Sequence, residues 1–296
     1  NREVMTKSLN VSAYFVSQYS WILFLLIYFL QAFINPLRTD FIKIESPNTY
    51  FKKDNDPIIF AHLTDIHVNR LSPESINIFH TAISELNSIS PDFIVFTGDL
   101  VDNFDSHNIP RFTDQYEEDW KIYNQGISAF SDIPLIEIGG NHDLFAIRNI
   151  TSSHNLILDY SRSYTRENTK ALKDFIIRSF QIQSLNTTVI ALNPFIFPTA
   201  HTPLHYFSHF STAVLDALKD ELDKCSSKCI MACHYPTSTT RSQLSSNGLT
   251  FEEIVGSHPS INAYIAGHIH PTSMRIFHHG IGNVEIVGPS TRYSRK

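Results

Sequence analysis

The stretch Leu135-Ile-Glu-Ile-Gly-Gly-Asn-His-Asp143 joins a short apolar run to a cluster of polar residues. An apolar run of this length that ends in glycines is typical of a buried β-strand followed by a tight turn. Asn141 offers a neutral amide oxygen, His142 can donate a proton, and Asp143 can fix the orientation of an imidazole. An Asn-containing loop explains the Asn and the glycines but not the His-Asp pair. The stretch therefore predicts a strand that ends in a reactive loop.

The same arrangement recurs along the chain. Apolar runs at 58–63, 93–97, 135–138, 189–192, 229–232 and 263–266 predict strands, and amphipathic patterns at 73–90, 116–130 and 212–224 predict helices. This alternation is typical of an α/β domain built from β-α-β units. Sites in such sheets form outside the carboxyl ends of strands. We therefore expect one site from the metal-competent residues that follow the predicted strands, namely Asp65, His67, Asp99, Asn141, His234, His268 and His270.

Each of these motifs is weak by itself. An Asp-x-His pair is common, Gly98-Asp99 is usually only a turn, and a lone histidine such as His234 is more often structural than a ligand. A carboxylate such as that of Asp99 can bridge two cations, and His268 and His270 can serve two adjacent metals. The ordered series DxH, GD, GNHD, H and GHxH is hard to obtain by accident, and it favours a site for two metal ions.

Composition excludes some classes of function. The 296 residues are 42% hydrophobic and 18% charged, which fits one large or two small globular domains and not a disordered chain. The net charge is -6 and the basic residues are scattered, so nucleic acid is not an expected partner. The chain has 15 histidines, and since imidazole is a common metal ligand, this number weakly favours a metal-binding protein.

The three cysteines, Cys225, Cys229 and Cys233, do not form a recognisable framework. Their spacing fits neither a paired Cys-x-x-Cys zinc site nor a small disulfide scaffold. Buried thiols are the simpler interpretation. A disulfide between Cys225 and Cys229 would require an extracytosolic location.

The amino-terminal segment is long enough and apolar enough to cross a bilayer. No charged residue occurs between positions 8 and 37, and residues 11–34 exceed the span of about 20 residues that a bilayer requires. We predict a segment 1–37 that carries a membrane anchor, a linker at 38–57, and a folded domain at 58–296. A cleaved signal peptide is disfavoured by the length of the apolar run, and a buried amphipathic helix by the absence of charge on any face.

The side of the membrane on which the folded domain lies stays open. Basic residues after the apolar segment weakly favour a cytoplasmic domain. Glycosylation sequons at Asn10, Asn149 and Asn186 favour the opposite side, although such sequons often occur by chance.

The series from Asp65 to His270 resembles the calcineurin-like metallophosphoesterase family, whose five motifs all occur here in order, and the likeness covers residues 58–287. The resemblance implies a four-layer α-β-β-α metallophosphoesterase sandwich and a hydrolase with two metal ions, and the apolar segment adds an N-terminal transmembrane helix to this fold. It implies that one metal is held by Asp65, His67, Asp99 and His270. It implies that the other is held by Asp99, Asn141, His234 and His268. This mixture of oxygen and nitrogen ligands suits Mn, Fe or Zn.

The resemblance also implies a mechanism for the hydrolysis of phosphate mono- or diesters. A metal-bridging hydroxide would be the nucleophile, His142 the general acid, and Asp143 the group that orients the imidazole. The expected partners are a phosphoester substrate and, through the N-terminal helix, a lipid bilayer. One alternative is a scaffold in membrane trafficking that keeps the fold without catalysis, and another is a nuclease. The presence of all seven candidate ligands and of His142 argues against a scaffold. The scattered basic residues argue against a nuclease.

Two details narrow the resemblance. The Ser/Thr protein phosphatases of this superfamily carry an arginine soon after Gly-Asp and a Glu after Asn-His, whereas this chain has Gly98-Asp-Leu-Val-Asp-Asn103 and Asp143. A membrane-anchored eukaryotic branch, that of transmembrane protein 62, is more similar. The resemblance to that branch lies in Asp119-Trp-Lys-Ile-Tyr123, Gly139-Gly-Asn-His-Asp-Leu-Phe145, His234-Tyr-Pro-Thr-Ser238 and Thr291-Arg-Tyr293. Members of that branch continue into a further domain, so we expect a truncated or a minimal member.

Overall fold

The computed structural model describes residues 43–45, 58–103, 114–147, 149–193, 207–225, 228–279 and 283–291. The chain divides into two compact units, Asn1–Leu37 and Arg38–Lys296, and all of the described residues lie in the second. The predicted membrane anchor at 11–34 lies outside the described residues. Within the ranges given above, the helices are too short or too polar to cross a bilayer.

The strands of the described residues form two main sheets. One sheet has seven strands in the order β1-β5-β6-β8-β10-β12-β11, the other has the order β2-β3-β4, and β7 pairs separately with β9. Their bounds are β1 Lys43–Glu45, β2 Phe60–Leu63, β3 Phe93–Thr97, β4 Leu135–Ile138, β5 Ile177–Ile182, β6 Thr187–Leu192, β7 Ser208–Phe210, β8 Lys228–Cys233, β9 Thr240–Ser242, β10 Ile261–Ala266, β11 Arg275–His279 and β12 Asn283–Val287.

Parallel pairing sets the direction of the strands that matter for function. β2, β3 and β4 are mutually parallel, as are β6, β8, β10 and β12. The large sheet is mixed, because β5 and β11 run antiparallel to their neighbours β6 and β12. Parallel strands direct their carboxyl ends to one edge of a sheet, which is where sites form in α/β proteins.

The helices of the described residues are α1 Pro73–Ile89, α2 Glu117–Ile127, α3 Ile157–Tyr160, α4 Leu172–Ile176, α5 Thr212–Lys224 and α6 Phe251–Ser257. Three of these helices, α1, α5 and α6, begin after a Ser or Thr that caps them. The Ser72 side chain accepts a hydrogen bond from the Ser75 amide at the start of α1, and Pro73 occupies the first turn. Thr250 and Glu253 form a reciprocal capping box at the start of α6.

An apolar core between the two sheets holds the layers together. From the small sheet it takes alternate residues of β3 and β4, namely Phe93, Val95, Ile136 and Ile138; from the large sheet it takes Phe180, Ile182, Val189, Ala191, Ile230, Ala232 and Ile265. Alternation of this kind turns one face of each strand toward the core.

Helices cover the outer faces of both sheets. On the small sheet, the Tyr123 ring of α2 packs edge-on against Phe96 of β3, and its hydroxyl donates to Glu137 of β4. On the large sheet, Ser179 of β5 donates to Glu221 of α5, and the Phe251 ring of α6 contacts Tyr264. These contacts give the α-β-β-α order of layers that the resemblance implied.

Several elements differ from the sequence-based expectation. The strand β1 lies within the predicted linker 38–57, where it pairs in parallel with β5. The helix predicted at 116–130 ends as α2 at Ile127 and continues as a 3₁₀ turn, Ser128–Phe130. The strands β5, β7, β9, β11 and β12 and the helices α3, α4 and α6 were not expected.

Close packing between α1 and α2 predicts a destabilising substitution, Gly126→Ala. A methyl group at this buried position of α2 would lie 2.3 Å from a ring carbon of Phe79 in α1. Alanine normally favours a helix over glycine, but overpacking should outweigh that gain and cost about 1–3 kcal/mol. Urea unfolding measures the change, and the exposed neighbour substitution Gln125→Ala should stay within about 0.5 kcal/mol of wild type. A stabilised Gly126→Ala variant would contradict this account of the packing.

Candidate metal centre

Five strands deliver the predicted site residues to one place. Asp65 and His67 follow β2, Asp99 follows β3, and His142 follows β4 together with Asn141. In the large sheet, His234 follows β8, and His268 and His270 follow β10. All seven predicted ligands and His142 therefore meet where the carboxyl ends of strands from both sheets come together.

The ligand loops have unusual backbone conformations. Five of the seven predicted ligands have positive φ angles: Asp65 at 51°, His67 at 49°, Asp99 at 50°, His268 at 69° and His270 at 43°. The left-handed region is unfavourable for residues with a β-carbon, by about 1–3 kcal/mol each. Such conformations persist only where surrounding contacts impose them, and they are common at functional sites.

Backbone hydrogen bonds impose these conformations at the ends of β2 and β3. The Asp65 amide donates to the Gly98 carbonyl at 3.0 Å, and the His67 amide donates to the Asp99 carbonyl at 2.8 Å. Between the two ligands, the Ile66 side chain is buried. The parallel ladder thus continues past the strand ends and fixes both loops.

The first group of ligand atoms comprises Asp65, His67, Asp99 and His270, whose candidate donor atoms lie within 4.8 Å of one another. The His270 Nε2 atom lies 2.9 Å from Asp65 Oδ1 and 3.2 Å from His67 Nε2. The His67 Nε2 atom lies 3.6 Å from Asp99 Oδ2.

The second group converges on His234 Nε2. This atom lies 3.0 Å from Asn141 Oδ1, 3.1 Å from His268 Nδ1 and 3.5 Å from Asp99 Oδ2. The other ring nitrogen of His234 contacts the Thr97 carbonyl at 2.8 Å. A hydrogen bond on the remote nitrogen is the usual way in which a metal-binding imidazole is oriented.

The donor atoms of both groups fit metal ions. In each group two imidazole nitrogens face each other at little more than 3 Å, an arrangement that requires a proton or a cation between their lone pairs. Burial of Asp65 and Asp99 opposes their ionisation, yet neighbouring imidazoles hold the pKa of both carboxyl groups below the ordinary value. Buried carboxylates and imidazoles that converge in this way are typical of transition-metal sites.

The His142 side chain faces the same centre. Its Nε2 atom lies 3.9 Å from Asp99 Oδ2, and its Nδ1 atom lies 2.6 Å from the Asp102 carbonyl oxygen and 3.3 Å from Asp102 Oδ1. Burial would lower the pKa of His142, but the charge of Asp99 and the hydrogen bonds to Asp102 raise the pKa to about 9. The Nδ1 contacts fix the ring with Nε2 toward the centre.

Asp102 is a site residue that the sequence analysis missed. Its Oδ1 atom lies 3.2 Å from His67 Nδ1, and its Oδ2 atom accepts from Asn69 at 2.7 Å. Burial opposes ionisation of Asp102, but hydrogen bonds from His142 and His67 hold its pKa below the ordinary value. His67, Asp102 and His142 also lie close enough for a cation, but the Nδ1 atoms of both histidines already face acceptors of Asp102. One carboxylate thus orients a predicted ligand and the predicted acid.

The expected role of Asp143 in orienting His142 is wrong. The carboxylate of Asp143 is fully buried, and it accepts hydrogen bonds from the Val101 amide at 3.1 Å and the Gly140 amide at 2.7 Å. Residues 142–144 form a 3₁₀ turn, which directs adjacent side chains to different sides. Burial and the negative charge of Asp99 raise the pKa of Asp143. Asp143 ties the loop after β4 to the loop after β3.

Comparison with known proteins decides the family. The sequence profile of the calcineurin-like phosphoesterases matches residues 58–272, which include every predicted site residue. The chain belongs to the calcineurin-like phosphoesterase family. It is therefore a metallophosphoesterase, a hydrolase, and members of its family use two divalent metal ions.

Similar proteins support the same family and fold. A protein of Colwellia psychrerythraea named as a probable cyclic nucleotide phosphodiesterase is 22% identical over 232 residues, which are 74% of each chain. A protein of Arabidopsis thaliana named as a metallophosphoesterase is 23% identical over 243 residues, which are 77% of this chain but only 32% of that protein. The crystal structure of a dimetal phosphatase from Danio rerio covers 81% of this chain and 90% of its own, with a TM-score of 0.55 and 15% identity. The last likeness concerns the fold alone.

The close approach of two loops in this phosphoesterase predicts that Gly140→Ala will lose metal. A β-carbon at position 140 would lie 2.2 Å from both the amide nitrogen and Oδ1 of Asp99, so Asp99 must move. We expect the metal content measured by inductively coupled plasma mass spectrometry to fall from about two ions per chain to less than one.

The control is Gly248→Ala, at a glycine whose φ of 83° is itself unfavourable for alanine but where a β-carbon would have no atom within 4 Å. This variant should lose about 1 kcal/mol of stability and keep its metal. Full metal content in Gly140→Ala would contradict the proposed packing of the two loops.

Proposed function

We propose that this protein hydrolyses phosphate mono- or diesters at a dinuclear centre bridged by Asp99. The observation that carries the proposal is the position of Asp99 Oδ2, which lies 3.6 Å from His67 Nε2 in the first group and 3.5 Å from His234 Nε2 in the second. A carboxylate between two sets of ligands is suited to bridge two cations.

The ligand sets follow from the two groups. Asp65, His67, Asp99 and His270 would hold one ion, and Asp99, Asn141, His234 and His268 would hold the other. Two ions at such a centre supply an activated water nucleophile at neutral pH and stabilise charge on the reacting phosphoryl oxygens. Mn, Fe and Zn all suit these nitrogen and oxygen ligands.

His142 would act as the general acid toward the leaving group. Its Nδ1 atom is held by Asp102, so a proton on Nε2 points toward the centre where the ester oxygen departs. The hydrogen bonds to Asp102 favour the protonated form of His142 that a general acid requires. Asp102 takes the orienting role that the sequence analysis gave to Asp143.

We expect loss of His142 or of its partner to reduce turnover. A positioned acid contributes about 10²–10⁴-fold, so His142→Gln should lower kcat by about that factor, and Asp102→Asn by a smaller one. The assay uses manganese-loaded full-length protein with p-nitrophenyl phosphate, bis(p-nitrophenyl) phosphate and a cyclic nucleotide. The cyclic nucleotide is included because of the name of the Colwellia relative.

The controls separate catalysis from binding. His154→Gln changes an exposed histidine and should retain wild-type kcat, and EDTA should abolish turnover until metal is restored. If the wild-type protein binds two metals but hydrolyses none of these esters, the scaffold alternative is favoured. If His142→Gln keeps full turnover, the general-acid role of His142 is wrong.

We further propose that residues 11–34 anchor the protein in a membrane. The support is the uncharged apolar run itself, together with the resemblance of four segments to the transmembrane protein 62 branch. Full-length protein expressed in eukaryotic cells should stay in the membrane pellet after carbonate extraction, and a variant that lacks residues 1–37 should be released. Release of the full-length protein would remove the proposal.

A further inference from the structure

We infer that Glu285 is a positioning residue for the second metal ion, because it fixes the loop that carries His234. Glu285 lies on β12 and belongs to none of the ligand groups described above. The inference rests on the proposed assignment of His234 and His268 to one ion.

The carboxyl group of Glu285 is buried and hydrogen-bonded. It is 2% exposed, and on the same strand the buried neighbours two residues away are Asn283 and Val287. An apolar side chain could fill the position without the cost of desolvating a carboxyl group. A buried carboxyl at such a position is therefore expected to have a specific partner.

That partner is Thr237, three residues after His234. The Thr237 amide donates to Glu285 Oε1 at 2.8 Å, and the Thr237 hydroxyl donates to Glu285 Oε2 at 2.6 Å. His279 Nε2 lies 2.8 Å from the same Oε2 atom. Both carboxyl oxygens thus hold one end of the loop after β8.

The backbone carbonyl groups of His234, Tyr235 and Pro236 also accept hydrogen bonds. The Gly267 amide donates to the His234 carbonyl at 2.9 Å, and the Tyr264 hydroxyl donates to the Tyr235 carbonyl at 2.5 Å. The Thr239 amide donates to the Pro236 carbonyl at 3.0 Å. Only Tyr235 and Pro236 separate His234 from Thr237, so we expect a displacement of Thr237 to reach His234 through this short, hydrogen-bonded segment.

The same loop also contacts His268. The Tyr235 ring packs against the His268 ring with centroids 4.4 Å apart, and Gly267, which bonds the His234 carbonyl, directly precedes His268. Neither contact involves a residue of the first ligand group. The effect of Glu285 should therefore fall on the second ion.

The test compares two variants with two matched controls. Glu285→Gln keeps the shape of the side chain but replaces one acceptor by a donor, and Thr237→Val removes only the hydroxyl donor. The controls change the same residue types at buried positions away from the centre. They are Glu221→Gln, which accepts from Ser179, and Thr187→Val, which donates to the Leu185 carbonyl.

The measurement is titration of metal-stripped full-length protein with Mn²⁺ by calorimetry, with electron paramagnetic resonance at one and two equivalents. Loss of outer contacts typically weakens metal binding about 10–100-fold. Because Glu285 acts on His234 through the loop and not by direct contact, we expect Kd for the second ion to rise by the lower end of that range, about 10-fold, in both variants and Kd for the first ion to stay within about twofold. The spin-coupled signal of two adjacent ions should weaken in both variants and persist in both controls.

Other outcomes overturn the inference. Wild-type affinity at both sites in both variants would show that Glu285 positions nothing, and equal weakening at both sites would show a general loss of stability. Thr237→Val decides the matter if Glu285→Gln does not fold. Failure of wild-type protein to bind two ions would instead remove the proposed dinuclear centre, and with it this inference.

Discussion

The structure depends on two buried carboxylates that lie close together. Asp65 and Asp99 are almost completely excluded from solvent, and the charge of Asp99 opposes ionisation of Asp65. Like charges at such a site are tolerated only when positive charge or hydrogen-bond donors surround them. Imidazoles supply part of this compensation, and cations would supply the rest. The fold places those imidazoles beside the carboxylates and so stabilises their charge.

Two of the compensating imidazoles come from a different sheet. The carboxylates stand at the ends of β2 and β3, whereas His234 and His270 stand at the ends of β8 and β10. The apolar core between the sheets fixes their separation, and the His268 amide joins them by donating to Asp65 Oδ2 at 2.9 Å. The free energy of this core also offsets the strain of the left-handed ligand residues.

The sequence predicted best those parts of the fold that are determined locally. The strands β3 and β4 have the predicted bounds because each is a short apolar run that ends at glycine, and α5 has them because its apolar face follows a Ser cap. The strands β5 and β11, which were not expected, are not short apolar runs. The strand β11 is an exposed edge strand with polar residues, and β5 contains Arg178, whose burial depends on hydrogen bonds to residues 163–174.

The candidate site shows the same limit. The ligands could be predicted because they directly follow apolar runs that are visible in the sequence. The partner of His142 could not be predicted, because adjacency in the sequence suggested Asp143. The parallel pairing of β3 and β4 instead places Asp102, from the loop after β3, beside the ring. The sequence did offer one sign of this role, because Asp102 is a second aspartate that follows Gly98-Asp99 closely.

The contact between the His268 amide and Asp65 has a consequence for the order of biosynthesis, because it joins residues 203 positions apart. A chain emerging from the ribosome carries Asp65 and Asp99 long before β10 exists to complete their surroundings. Contacts between such distant residues form slowly, and incomplete α/β domains expose apolar strand edges meanwhile. We therefore expect stable metal uptake to follow synthesis of nearly the whole domain, because a stalled or shortened chain would retain Asp65 and Asp99 without His234, His268 and His270.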